Sequence, residues 1–266
     1  MNTERREVSC NQRFNEVKNL ANRLLQALCC LVLSLAIGSG AAAKSNNNFD
    51  LVFEITIARL ELAEALLRSS ADFWAENPDV GGINAHLSLR QVLNGSPYFR
   101  SILAIGEDGI LSFDSFNPVP FLGAKDLSDR GYWKAANAAK PKTLVFSPPV
   151  VGRQSGMTFV PLAMAVPGGT ARRQRVVVLT ALPETLLPTS NMCNFCGVSL
   201  VQKGKVLVSS RPLSDVNARV IEALNFDGHY GSKSLNVRGL NVTTHWKRSE
   251  RFGIVLVYYS VEPGGE

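Results

Sequence analysis

Residues 101–115 read SILAIGEDGILSFDS, and the fold is decided by how this stretch is parsed. Ser101 to Gly106 is a short apolar run, Glu107-Asp108-Gly109 a tight turn, and Ile110 to Ser115 a returning strand, which together predict a β-hairpin. About ninety residues later, 198–210 read VSLVQKGKVLVSS: Val198 to Val201, the turn Gln202-Lys203-Gly204, and Val206 to Ser210 make a second hairpin. Each is followed by a predicted helix with a similar opening. Leu127-Ser128-Asp129 leads one from about Asp129 to Lys140, and Leu213-Ser214-Asp215 leads one to about Leu224. Ser and Asp stand where the free N–H groups of a first turn need side-chain acceptors. Strand candidates Thr143–Val151, Met157–Val166 and Arg175–Leu182 follow the first helix; Tyr230–Val237, Leu240–Trp246 and Phe252–Val261 follow the second. The order strand, strand, helix, three strands therefore occurs twice. The expected fold is α+β, with two tandem five-stranded antiparallel sheets and flanking helices.

Upstream of the first hairpin the period is helical. From Phe49 to about Asn77, residues Leu51, Ile55, Ala58, Leu62, Leu66 and Phe73 recur at intervals of three or four or their sums, predicting one apolar stripe on a long helix. Glu64 and Arg68 form an i,i+4 pair, Pro78 and Gly81-Gly82 end the helix, and a shorter one covers Asn84 to Leu93. Further upstream, Leu24 to Ala43 reads LLQALCCLVLSLAIGSGAAA without a charge. Twenty residues at about 1.5 Å each span roughly 30 Å, the thickness of a hydrocarbon core. Arg5, Arg6, Arg13, Lys18 and Arg23 precede it, so residues 1–23 are expected in the cytoplasm and everything from Lys44 outside. Ala41-Ala42-Ala43 also fits a cleavage site, so the segment is a transmembrane anchor or a signal segment. Both readings export residues 44–266.

The 266 residues are 45% hydrophobic and 19% charged, which is globular composition rather than disorder. The net charge of +6 is spread along the chain without a basic stripe interleaved with aromatics, which argues against nucleic acid as a partner. Cys29 and Cys30 lie in the apolar run and Cys10 precedes it. Cys193 and Cys196 form a CxxC that reads as a structural disulfide in an oxidising compartment, with free thiols and a redox or metal role as alternatives. His86, His229 and His245 are scattered without metal-ligand spacing, and no GxSxG, P-loop or dinucleotide fingerprint follows a strand. No cofactor and no catalytic activity are expected.

A membrane segment, a long stalk helix and two PAS-like sheets in tandem together resemble the double Cache family of bacterial extracytoplasmic sensors. Asp126-Leu-Ser-Asp-Arg130-Gly-Tyr132-Trp133 resembles the family's Asp-x-Ser-x-Arg followed by two aromatics. Ser147-Pro-Pro-Val-Val-Gly152-Arg153-Gln-Ser-Gly156 resembles the strand and turn after it, and Leu103 to Gly109 the first hairpin of the membrane-distal unit. The likeness covers about 49–182 well; 183–266 match in order more than in motif. It implies a stalk helix and distal ligand-binding unit over 44–182 and a proximal unit over 183–266. It also implies a pocket roofed by Arg130, Tyr132 and Trp133 near Asp126, with Asp114, Phe146 and Ser147 lining its floor. A guanidinium is a planar fork suited to a carboxylate, and the aromatics suit an apolar wall or a cationic group. This chain departs from the amino-acid-binding subset of the family. Pro149-Val150-Val151 stands where that subset has Tyr-x-Asp, and Thr180-Ala181-Leu182 where it has an Asp on the last strand. An α-amino group would lack its usual carboxylates, and a carboxylate, a purine-like ring or a neutral ligand stay open.

The expectation is thus a small-molecule sensing module of a membrane signal-transduction receptor, single-pass in a bacterial inner membrane, with 44–266 in the periplasm and ligand binding relayed by the stalk helix. No GGDEF/EAL or histidine-kinase output segment is visible, so the partners expected are the ligand, the inner membrane, and a second copy or a separate output protein. The alternatives are an exported structural or assembly protein, which predicts a filled core, and a periplasmic thiol protein acting through Cys193 and Cys196.

Overall fold

The computed structural model describes residues 43–94, 96–116, 125–153, 155–168, 174–188, 196–210 and 214–261. The long helix is α1 (Ala43–Glu76), followed by α2 (Gly82–Leu93). The first sheet is built from β1 (Phe99–Gly106), β2 (Ile110–Asp114), β3 (Lys125–Asp126), β4 (Val145–Phe146), β5 (Val150–Val151), β6 (Thr158–Ala165) and β7 (Gln174–Ala181). Helix α3 (Gly131–Ala138) lies between β3 and β4, and the single turn α4 (Pro183–Leu186) follows β7. The second sheet comprises β8 (Cys196–Gln202), β9 (Lys205–Ser209), β10 (Tyr230–Val237), β11 (Leu240–Ser249) and β12 (Ile254–Val261), with α5 (Ser214–Ala223) after β9. Residues 24–42 of the expected membrane segment lie outside the described residues. Among the described residues no helix is long and apolar enough to cross a membrane.

The protein is α+β with two antiparallel sheets. The second has five strands in the order β10-β11-β12-β8-β9, but the first has seven, in the order β3-β2-β1-β7-β6-β4 with β5 also on β6. Of the two extra strands, one is β3, paired with β2, and the other has a local cause. The single strand predicted over 143–151 is two short ones, because Pro148 and Pro149 have no N–H to give a ladder and interrupt pairing between Phe146 and Val150.

Helix α1 also departs from the predicted stripe. Leu51 is 48% exposed, and the buried line runs through Val52, Phe53, Leu60, Ala63, Leu67, Ala71 and Trp74. The apolar residues of α1 are frequent enough to support either line, and packing against the two sheets buries this one. Lys247 on β11 binds Asp50 and Glu54 at 3.3 and 3.0 Å, and Arg251 binds Glu61 and Glu64 at 2.5 and 2.7 Å. These partly exposed pairs run along the flank of α1 and border the buried line, adding little energy of their own. The amino-terminal half of α1 rests on the second sheet, where Phe49 meets Tyr258 with ring centroids 5.8 Å apart. Its carboxy-terminal half rests on the first, where Trp74 stacks on Phe113 at 5.1 Å. One apolar core runs beneath both sheets.

Each sheet has a second covered face. On the first, Leu103, Ile105, Val176 and Val178 point away from α1 toward Tyr132 and Ala136 of α3. On the second, Val255, Val257 and Tyr259 point toward Val220 and Ile221 of α5.

Candidate functional site

Helix α3 does not seal the first sheet. Between its entry segment, β2 and the turn after β5 lies a cleft of about 430 Å³. Its floor is Ser101 and Leu103 of β1 and Thr180 of β7; Tyr132 and Phe159 give it apolar walls, and charged groups stand above. The second sheet shows why a hollow is possible here. At Gly197 and Gly231 an added Cβ would lie 2.3 Å from Tyr259 Oη and 2.1 Å from the Trp246 ring, so large rings occupy that space. The first sheet has two small hydroxyl residues on its floor instead.

The roof is held by a frame of hydrogen bonds. Asp108-Gly109 turns the β1–β2 hairpin, with Gly109 at φ +81°. Gly109 O accepts from Leu127 N at 2.8 Å, which lays the entry segment of α3 against the hairpin. The predicted capping by Ser128 and Asp129 is replaced by another device: Arg130 is the N-cap residue and makes no side-chain cap, while Asp126 Oδ1 accepts from Ser128 N at 2.8 Å and turns the chain before the helix. Hydrogen bonds from the Ser128 hydroxyl and backbone hold the Asp126 carboxyl below the usual carboxylate range. Arg130 Nη2 donates to Val151 O at 3.0 Å. Arg153 reaches back from the turn after β5 to Asp126 O and to Asp129 Oδ2, so two arginines brace α3 against the β5–β6 turn.

Of the residues singled out from sequence, Asp114, Asp126, Arg130 and Tyr132 share the cleft wall, and Trp133, Phe146 and Ser147 do not. Trp133 donates its indole N–H to Gly106 O at 3.3 Å and so ties α3 to the end of β1. Phe146 points to the opposite face, edge-on to Phe252 at 6.1 Å; strand alternation turns its neighbour Val145 toward the α3 side. Ser147 is buried but outside the cleft wall. Burial raises the Asp114 carboxyl above the ordinary range, and its Oδ1 accepts from Phe116 N at 2.9 Å. Burial likewise raises the Tyr132 phenol. Cys196 is disulfide-bonded, and Cys193 lies outside the described residues.

Sequence reasoning missed Arg100, Lys125, Ser101 and Phe159 as wall residues. Nothing local marks them, since each faces the cleft only through the register of the sheet. Four cationic residues, Arg100, Lys125, Arg130 and Arg153, stand in the wall against two carboxylates, Asp114 and Asp126. Arg130 Nε is buried without a hydrogen-bond partner among the described residues. The arrangement suits an organic anion: apolar walls, hydroxyls below, and guanidinium donors with capacity left. Among the described residues no group of three or more His, Cys, Asp or Glu is placed to hold a metal ion.

No family model and no curated protein sequence matches this chain. Solved structures do match, and they define the class of fold: that of the Cache-type extracellular ligand-binding domains of chemoreceptors and histidine kinases. The extracellular domain of rpHK1S-Z16, assigned as a histidine kinase, is 21% identical with a TM-score of 0.67, over 84% of this chain and 96% of that one. The ligand-binding domain of the Pseudomonas fluorescens chemoreceptor CtaA in complex with L-leucine is 16% identical at 0.60, over 84% and 96%. That of the Campylobacter jejuni chemoreceptor Tlp3 in complex with 4-methylisoleucine is 14% identical at 0.56, over 83% and 91%. At these identities the likeness is one of fold.

Proposed function

We propose that this chain is the extracytoplasmic sensing module of a membrane signalling receptor, and that it takes a small organic anion into the cleft above the first sheet. The observation that carries this reading is the wall of the 430 Å³ hollow, where Arg100, Lys125, Arg130 and Arg153 stand against only Asp114 and Asp126. An excess of cationic groups around an apolar-walled hollow favours an anionic occupant, and a guanidinium fork suits a carboxylate. The amino acids bound by the CtaA and Tlp3 domains share a carboxylate with the proposed ligand and are of a size such a cleft takes. An exported assembly protein would instead fill this space.

On this reading residues 24–43 anchor or export the chain, and 44–266 are periplasmic. Helix α1 is the element that can relay a change, because one apolar core packs it against both sheets. A ligand shifts such an equilibrium only by its affinity difference between two states, typically about 1–3 kcal/mol. An output protein or domain reads that shift.

A thermal-shift screen of the full chain against organic acids, amino acids, purines and neutral metabolites tests the proposal. At least one acid should raise the melting temperature with increasing concentration, and Arg130→Ala should abolish that rise while the ligand-free protein still melts cooperatively. A screen in which no acid acts overturns the reading. So does an undiminished rise in the variant.

A further inference from the structure

We infer that the ligand carries two separated anionic groups, a short dicarboxylate being the simplest class, and that Arg100 holds the second of them. The inference rests on the anion-sensing reading above and adds a specificity residue to it.

Its basis is a fault in the alternation of β1. Phe99 belongs to the core beneath α1, and so do Ile102 and Ala104. In an uninterrupted strand residues three apart point to opposite faces. Here Phe99 pairs with Ala181 and Ser101 with Thr180, so two steps along β1 correspond to one along β7 and Arg100 is the extra residue. A bulge of this kind re-aims a side chain. Arg100 and Ser101 consequently both reach the cleft, where regular pleating would have sent one of them into the apolar core. The bulge is built in: the Ser101 N–H is satisfied by the Thr180 hydroxyl at 3.0 Å.

The re-aimed guanidinium has donors to offer. It lies over the Phe116 ring at 4.3 Å, and no hydrogen bond occupies it among the described residues. Asp114 is the carboxylate near it in the cleft wall, where Arg100, Lys125, Arg130 and Arg153 outnumber Asp114 and Asp126. Arg130, with one Nη2 bond to Val151 O, stands at the N-cap of α3 and Arg100 on β1, so the two guanidinium groups come from different layers of the cleft. One anionic group cannot use both forks in bidentate fashion, whereas a diacid can give one carboxylate to each. The hydroxyls of Ser101 and Thr180 and the faces of Leu103 and Phe159 are left for the chain between them.

Calorimetric titration of the full chain with succinate, butyrate and L-alanine tests this. Succinate should bind at least about tenfold more tightly than butyrate, the return expected of one added charge-assisted contact, and more tightly than L-alanine. Arg100→Gln should erase the succinate preference, and Arg130→Gln should weaken both acids. Equal binding of succinate and butyrate by the unaltered protein overturns the inference, and needs no variant to fold. A preference that survives Arg100→Gln, or binding by no dicarboxylate from malonate to adipate, also overturns it. Those results leave the anion-sensing reading standing, which fails if no organic acid acts in the screen above or if Arg130→Ala leaves the rise undiminished.

Discussion

The hydroxyl oxygens of Ser101 and Thr180 lie 2.9 Å apart on the floor of the cleft, both residues almost fully buried, and Thr180 Oγ1 also accepts the Ser101 backbone N–H. This pair does two things at once. It satisfies a backbone donor that the bulge in β1 removes from the regular ladder, and it keeps the floor short and polar where an aliphatic side chain would close the hollow.

Thr180→Val keeps the shape and deletes the acceptor. A buried N–H left alone costs about 1–3 kcal/mol, so the variant should lose about that much stability. Equilibrium urea unfolding measures it. A loss below about 0.5 kcal/mol would mean that the bulge is held by other contacts.

Asp114 sets a pH dependence. Its folded pKa is raised by burial above the ordinary 3.8, so between those two values the native state binds more protons than the unfolded state. Stability therefore falls as pH rises through that window, and the ionised carboxylate is a cost at neutral pH. Asn can still accept the Phe116 N–H without carrying charge. Asp114→Asn should melt higher than the parent at pH 7, and the two curves should converge below the ordinary carboxylate range. A variant that melts lower at pH 7 would show that the charge of Asp114 is needed by its cationic neighbours.

Gly109 is sensitive for a geometric reason. It combines φ +81° with a site where an added Cβ would lie 2.5 Å from Ser128 Cβ. Gly109→Ala must strain the turn and push the entry segment of α3, at a cost of roughly 1–3 kcal/mol. Because Arg130 follows two residues after Ser128, ligand affinity should fall as well. Calorimetry beside urea unfolding separates the two effects, and unchanged values in both would refute the coupling.

Much of the architecture was legible in the sequence, and particular residues show where legibility stops. The two hairpins, their helices and the strand triplets follow from local periodicity and turn chemistry, and all but the strand expected over 143–151 stand close to their expected bounds. The buried stripe of α1 differs from the expected one because Leu51, Leu62 and Leu66 are as apolar as Leu60, Ala63 and Leu67, and only packing against the two sheets, distant in sequence, selects the line that faces inward. Phe146 was assigned to the cleft as a conspicuous aromatic beside Ser147, yet strand alternation gives that face to Val145.

Taken by itself, the sequence determined the element types and the twice-occurring order, since periodicity and turn formers are properties of neighbouring residues; a motif resemblance pointed to Arg130 and Tyr132, which line the cleft. The tertiary structure alone decided that a hollow exists, and that Arg100, Ser101 and Thr180 meet in it. The reason is physical: a bulge is a mismatch between β1 and β7, strands about eighty residues apart, so neither segment carries the signal until the two are paired.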